Sequence, residues 1–149
     1  MKRNASVVWI GGHKDGKGQI STESGAVEAG YGYSTRFEHE VGTNPEELLA
    51  ASHASCFAMA LACHLEAAQM TAESITVKAT VNLEEIDAEW TVTESHLDVT
   101  AMIPGADMAK FMAAANTAKV GCLISRLLGR AAKISMDAQL GQVVTSTRE

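Results

Sequence analysis

Three side chains in this sequence have the types and settings for thiol redox chemistry. Cys56 lies inside an apolar run, Ala50-Ala51-Ser52-His53-Ala54-Ser55-Cys56-Phe57, and Cys122 directly follows a glycine in Lys119-Val120-Gly121-Cys122-Leu123-Ile124. Arg36 lies upstream in Tyr33-Ser34-Thr35-Arg36-Phe37-Glu38. A thiol that reacts, a thiol that resolves and a fixed positive charge are the parts that thiol-based peroxide reduction needs. For either cysteine taken alone, a packed core residue is the commoner reading, because free cysteine is among the most buried residue types.

That chemistry makes demands on position. The thiolate, not the thiol, is the nucleophile, and an ordinary cysteine holds little of it near neutral pH. Cys56 stands about three turns into its helix. The N-terminal dipole fades within the first turn, and a buried apolar setting raises a thiol's pKa. A reactive Cys56 therefore needs a nearby cation, and Arg36, always charged and rich in donors, is the natural choice. Cys122 sits at an expected helix start, where backbone amides favour a thiolate. That suits a thiol which attacks a sulfenic acid and later leaves on reduction.

The elements that position these groups are legible in the hydrophobic pattern. Ala5–Ile10 is expected as a strand and Gln19–Val27 as a second, with a glycine-containing loop (Gly30, Gly32) leading to Arg36. A helix is expected from Asn44-Pro45 to about Gln69. Thr43 with Glu46 and Asn44 with Glu47 both fit a capping box. From Leu48 to Leu65 this helix is apolar or small on every face, so it must be buried. It is just long enough to span a membrane, but it is alanine-rich, contains two histidines and has no partner span. Burial on all sides in a chain this small calls for a second subunit, so an obligate homodimer is expected.

Ser74–Leu83 alternates as a half-buried antiparallel strand. Trp90–Ile103 follows, with a change of apolar phase that calls for a β-bulge near Glu94-Ser95. Met108, Phe111, Met112 and Ala115 mark an amphipathic helix that Gly121 breaks, Cys122 opens a short helix to Leu128, and Ala132 to Leu140 alternate as a last strand. The order β-β-α-β-β-α-α-β gives an α+β fold, expected as one domain over residues 1–149.

Several segments together resemble the OsmC/Ohr family of peroxide-detoxifying proteins. They are a Thr-Arg-Phe-Glu step, a Thr-Asn-Pro-Glu-Glu-Leu-Leu helix start, Cys-Phe in mid-helix and Gly-Cys near the end, in that order. The Thr-Arg-Phe and His-Ala-Ser-Cys-Phe wording is similar to the OsmC branch. One position departs: the family usually has proline after the second cysteine, and here it is Leu123. The resemblance implies an antiparallel sheet packed on a long buried central helix in an intertwined homodimer. It implies a cofactor-free, Cys-based peroxidase acting on organic hydroperoxides. In that reading Cys56 becomes a sulfenic acid, Cys122 traps it as a Cys56–Cys122 disulfide, and a small dithiol or lipoyl-type reductant restores both thiols.

The resemblance assigns Arg36 to thiolate stabilisation and Glu46 to holding Arg36. Glu46 and Cys56 would stand about 15 Å apart along a straight helix. Either Arg36 spans that gap or a partner subunit brings its own Glu46 near. On its own, Glu46 would be read as a carboxylate favoured by the helix N-terminus.

Other readings find less support. The net charge of −6 over 149 residues, with no basic cluster, argues against nucleic acid. The basic N-terminus runs into a polar, glycine-rich stretch with no apolar core, so no secretory signal is expected and the chain is read as cytoplasmic. Three cysteines in such a chain suit a transient catalytic disulfide better than a structural framework. His53, Cys56, Cys63 and His64 lack the spacing of a closed zinc site, and no phosphate-binding glycine loop is present, so neither metal nor cofactor is expected. Cys63 and most methionines are read as core. His53, one turn before Cys56, is either a packed, satisfied histidine or a group that tunes the site. A non-catalytic small-ligand-binding or redox-sensing dimer is the rival from another class.

Overall fold

The computed structural model describes residues 1–141. The chain divides into two compact units, Met1–Leu48 and a second that starts at Leu49. The first holds β1 (Ala5–Ile10), β2 (Lys17–Thr22) and β3 (Glu28–Gly32) as an antiparallel meander, followed by α1 (Tyr33–Phe37). The expected strand Gln19–Val27 is thus corrected. Gly25, at φ 70°, turns the chain, with its N–H donating to the Thr22 carbonyl at 2.9 Å. That left-handed conformation suits glycine. The segment expected as a loop before Arg36 is a third strand, and Arg36 itself lies on a short helix. β3 reads Glu-Ala-Gly-Tyr-Gly and has little strand propensity of its own. Its pairing with β2 holds it in place, and Tyr31 lies over Gly18, where an added Cβ would come within 2.1 Å of the ring.

The second unit contains α2 (Pro45–Ala67, whose opening turn belongs to the first unit), β4 (Ser74–Ile86), β5 (Glu89–Met102), α3 (Met108–Gly121), α4 (Leu123–Leu128) and β6 (Lys133–Leu140). The sheet order is β4-β5-β6. β4 and β5 pair antiparallel, whereas β6 runs parallel to β5. The expectation of an antiparallel sheet therefore holds for one pair and fails for the other. The α3–α4 connection carries the chain back along the sheet, as a parallel neighbour requires.

Local chemistry explains the boundaries. Asn44 is the cap of α2: its Oδ1 accepts from the Glu47 N–H at 2.8 Å, which settles the choice against Thr43. Pro45 takes the first helical position, where its missing N–H costs nothing. Asp107 caps α3 by accepting from the Lys110 N–H at 2.9 Å. The bulge falls opposite Asn82/Leu83, whose partners are Glu94 and Val92, so Thr93 is the extra residue. Beyond it Ser95, Leu97, Val99 and Ala101 all turn inward.

The core of the second unit is one cluster: Phe57, Leu61 and Leu65 of α2, Leu97, Val99 and Ala101 of β5, Phe111, Ala114, Ala115 and Ala118 of α3, together with Met70, Ile103 and Cys122. α2 contributes a single row at four-residue spacing, His53, Phe57, Leu61 and Leu65. Its other side is open in the single chain: Met59 is 78% exposed and Cys63 is exposed. The expected core placement of Cys63 is thus corrected, since it falls off the buried row. Among the methionines Met70 is buried, whereas Met59 and Met108 are exposed. By length and hydropathy α2 could cross a membrane; its buried row packs instead in the cluster with β5 and α3.

Two substitutions measure these contributions. Phe57→Ala should cost about 3–5 kcal/mol, since the ring is fully buried. Asn44→Ala should cost about 1 kcal/mol for the lost cap. Urea unfolding followed by circular dichroism reads both, and a Phe57→Ala cost below that of Asn44→Ala would contradict the core assignment.

Candidate active site

Two of the four expected site residues meet where α3 gives way to α4. Gly121 ends α3, and Cys122, at φ −55° and ψ 130°, caps both helices. Its N–H donates to the Ala118 carbonyl at 2.8 Å, and its carbonyl accepts from Arg126 at 2.9 Å. The first amides of a helix have no partner inside it, and here they turn to sulfur. Ile124 and Leu123 N–H groups donate to the Cys56 thiol, and Ser125 and Ile124 N–H groups to Cys122. The two thiols also hydrogen-bond each other.

This arrangement drives the two acidities apart. Burial pushes the Cys56 thiol up, but donation from the Ile124 N–H, the Cys122 thiol and the Leu123 N–H outweighs it, and its pKa lies below the ordinary value. Burial also pushes Cys122 up, and its role as donor to Cys56 holds the proton on. The Ser125 N–H, the Ser125 hydroxyl and the Ile124 N–H only partly offset this, so Cys122 lies above the ordinary value. The expectation that the helix start would favour a thiolate at Cys122 is therefore corrected: the same amides act, but the net benefit falls to Cys56. A cation is not the only available activator of Cys56.

Beside the thiols lies a polar trio: His53 is the packed, satisfied histidine that the sequence allowed, whereas its partners Ser95 and Ser125 were missed by sequence reasoning. His53 is fully buried, with Nδ1 2.7 Å from Ser95 Oγ and Nε2 2.8 Å from Ser125 Oγ. Ser95 and Ser125 are buried too. A signal for Ser95 was available: it is the polar residue in the inward phase that begins after the bulge. Ser125 gives its signal as the first hydroxyl one turn after Cys122. Burial lowers the pKa of His53, so the ring is neutral near neutral pH. With both nitrogens engaged, His53 has none left for a zinc ion. Among the described residues the group with metal-ligand geometry is elsewhere, at His96, Asp98 and Asp137 on β5 and β6. There the imidazole Nε2 lies 3.3 Å from an oxygen of each carboxylate.

The other two expected residues, Arg36 and Glu46, meet in the first unit. Arg36 Nε donates to both Glu46 carboxylate oxygens at 3.1 Å, and a terminal nitrogen reaches Oε1 at 2.5 Å. A forked pair of this kind fixes the plane of the guanidinium. The loop between them is pinned by Thr43 N–H to Gly30 carbonyl at 3.2 Å and by Asn44 Nδ2 to Thr35 carbonyl at 3.2 Å. The Arg36 guanidinium also lies 5.0 Å from the Phe37 ring centre. Each pair is thus formed, Arg36 with Glu46 in one unit and Cys56 with Cys122 in the other.

An α+β chain that brings two thiols of opposite acidity into hydrogen-bond contact has the make-up of a thiol redox protein. Residues 37–137 match the family described as OsmC-like protein, and the chain belongs to that family. It is 45% identical over 133 residues to "Peroxiredoxin OsmC" of Escherichia coli (strain K12), covering 89% of this chain and 92% of that one. Among solved structures it is similar in fold to the organic hydroperoxide resistance protein OhrB of Bacillus subtilis, with TM-score 0.71 and 22% identity over 91% of this chain and 98% of that one. An organic hydroperoxide resistance protein from Elizabethkingia anophelis matches with TM-score 0.73 and 20% identity, over 95% and 99% of the two chains.

Alkylation read peptide by peptide tests the acidity split. In the native protein near neutral pH, Cys56 should react well before Cys122, and urea should abolish the difference. Leu123→Pro removes one N–H donor to Cys56 and should move its alkylation profile to higher pH. An unchanged profile would show that this amide does not serve the thiol.

Proposed function

We propose that the chain is a Cys-based peroxidase that reduces organic hydroperoxides without a cofactor. One observation carries this reading: the Cys56 thiol of α2, its pKa lowered, hydrogen-bonded to the Cys122 thiol at the start of α4, its pKa raised. The 45% identity to a protein named a peroxiredoxin supports it. The Cys56 thiolate attacks the distal peroxide oxygen, the O–O bond breaks and the alcohol leaves. Cys56 is now a sulfenic acid. The Cys122 sulfur attacks it, forming the Cys56–Cys122 disulfide and releasing water. A small dithiol of lipoyl type then reduces the disulfide and is itself oxidised. Arg36, held in plane by Glu46, supplies positive charge to the thiolate and to the developing oxyanion. The reaction belongs to the cytoplasm, where free thiols are maintained.

The active form is a homodimer. What supports this is α2, which buries one row and leaves Met59 and Cys63 open on a helix that from Leu48 to Leu65 has apolar or small residues on every face. A second subunit would cover that face. Light scattering at micromolar concentration should give the mass of two chains; the mass of one would rule out this assembly.

Turnover of cumene hydroperoxide with a dithiol tests the chemistry. Cys56→Ser should abolish it. Cys122→Ser should consume about one equivalent and then over-oxidise. Arg36→Met should slow the first step. Cys63→Ser should turn over nearly normally, and a Cys63→Ser protein as inactive as Cys56→Ser would overturn the assignment. No turnover in the unaltered protein would favour a binding or sensing role.

A further inference from the structure

The buried His53 has no part in the mechanism above, yet it is joined to it. Ser125 Oγ touches two groups at once: His53 Nε2 at 2.8 Å and the Cys122 thiol. On its far side His53 Nδ1 meets Ser95 Oγ at 2.7 Å. A polar trio in an otherwise apolar core is costly unless every donor has an acceptor. Among the described residues no buried side-chain nitrogen or oxygen lacks a partner.

Counting hydrogens shows what the chain of bonds can do. Each serine hydroxyl has one proton to give, and a neutral imidazole has one N–H and one lone pair. Once Cys56 is a sulfenic acid it no longer takes the Cys122 S–H, which then turns to Ser125 Oγ, while the Ser125 O–H turns to the His53 Nε2 lone pair and His53 Nδ1–H points to Ser95 Oγ. Moving each proton one step along gives a second arrangement, equally complete. Cys122 is then a thiolate accepting from the Ser125 O–H, and His53 is an imidazolium donating from Nε2 to Ser125 and from Nδ1 to Ser95. The two states differ by one proton passed from sulfur to imidazole, with no heavy atom displaced.

We infer that Ser125 and His53 form a proton relay that deprotonates Cys122 for disulfide formation. This rests on the peroxidase reading above. As Cys122 sulfur attacks the Cys56 sulfenic sulfur, the S–S bond forms and the S–O bond breaks. The Cys122 proton passes through Ser125 to His53 Nε2, and the departing hydroxide takes a proton from solvent to leave as water. When the dithiol later attacks Cys56, Cys122 leaves as a thiolate and recovers its proton by the same path. Ser125 touches the reacting sulfur and is a catalytic residue; His53 acts through it, and Ser95 holds the ring with Nδ1 as donor. Among the described residues no charged side chain shifts either partner: burial lowers His53, and the titratable group acting on Cys122 is the Cys56 thiol. Burial keeps His53 neutral, and so able to accept, to a lower pH than an ordinary histidine.

The relay predicts where the resolving step loses its pH independence. In the unaltered protein treated with one equivalent of cumene hydroperoxide, Cys56–Cys122 disulfide should form at a nearly constant rate from neutral to alkaline pH. In Ser125→Ala the rate near neutral pH should fall about tenfold or more. It should climb with pH as Cys122 ionises unaided, approaching the unaltered rate at high pH. Ser125→Thr, which keeps the hydroxyl, should restore the flat profile, and His53→Gln should show the same alkaline dependence as Ser125→Ala. Profiles of Ser125→Ala that superimpose on the unaltered protein, or a loss that alkaline pH does not recover, would overturn the relay. Failure of the unaltered protein to form the disulfide at any pH would instead overturn the peroxidase reading, and the relay with it.

Discussion

Two thiols, Cys122 buried and Cys56 half-buried, meet at the start of α4, and the fold decides which gives up its proton more readily. Burial resists a thiolate at both Cys56 and Cys122. Neutral donors then join the contest. The opening amides of α4 are shared, with Ile124 serving both sulfurs, Leu123 serving Cys56 and Ser125 serving Cys122. The remaining bond, from one thiol to the other, tips the balance, because it aids the acceptor and penalises the donor. The division between the more acidic and the more reluctant thiol is thus set by burial, deeper at Cys122, together with the thiol–thiol bond and the hydrogen bonds from one short stretch of backbone at the start of α4. The break at Gly121, the double cap at Cys122 and the packing of α2 against β5 and α3 all serve to hold that stretch against Cys56.

The row His53, Phe57, Leu61, Leu65 shows the cost of this placement. Three of its members are ordinary core residues; the fourth is a polar ring with no exposure. An imidazole in such a place would be strongly destabilising if either nitrogen were unpaired. β5 and α4 each supply one hydroxyl, and the bulge at Thr93 is what makes this possible. Without the extra residue, Ser95 would face outward and Glu94 inward. A local irregularity in a hairpin therefore sets the chemistry available one layer away, beneath the thiols.

The sequence was most readable where side-chain period and backbone chemistry point the same way. The alternation from Ile75 to Leu83, the phase change that marks the bulge, the Asn44-Pro45 helix start and the break at Gly121 all appear in the structure at or within a residue or two of their expected places. It was least readable where partners come from distant segments. β3 has glycines in place of strand formers and exists because β2 pairs with it. The parallel direction of β6 depends on how α3 and α4 return the chain, which no local pattern encodes. The Arg36–Glu46 pair was suggested by family resemblance and is present as a fork, whereas the Ser95–His53–Ser125 chain joins three elements through residues that are unremarkable one at a time. Cys63 misled because an all-apolar helix does not reveal which of its rows a single chain will bury.

Leu123, the one departure from the usual family wording, bears on the same contest between the sulfurs. The residue before a proline is held in extended backbone, with ψ near +120 to +160°. Cys122, at φ −55° and ψ 130°, already has that shape although leucine follows it. Leu123 also fills the first position of α4, where proline is favoured because its missing N–H is not needed by the helix. The substitution therefore leaves the backbone shape intact and restores an amide. That amide has no partner within the helix, and it donates to Cys56. What would be a spare group at an ordinary helix start becomes here one more donor to the thiol that must ionise, so the departure strengthens the asymmetry between the two cysteines.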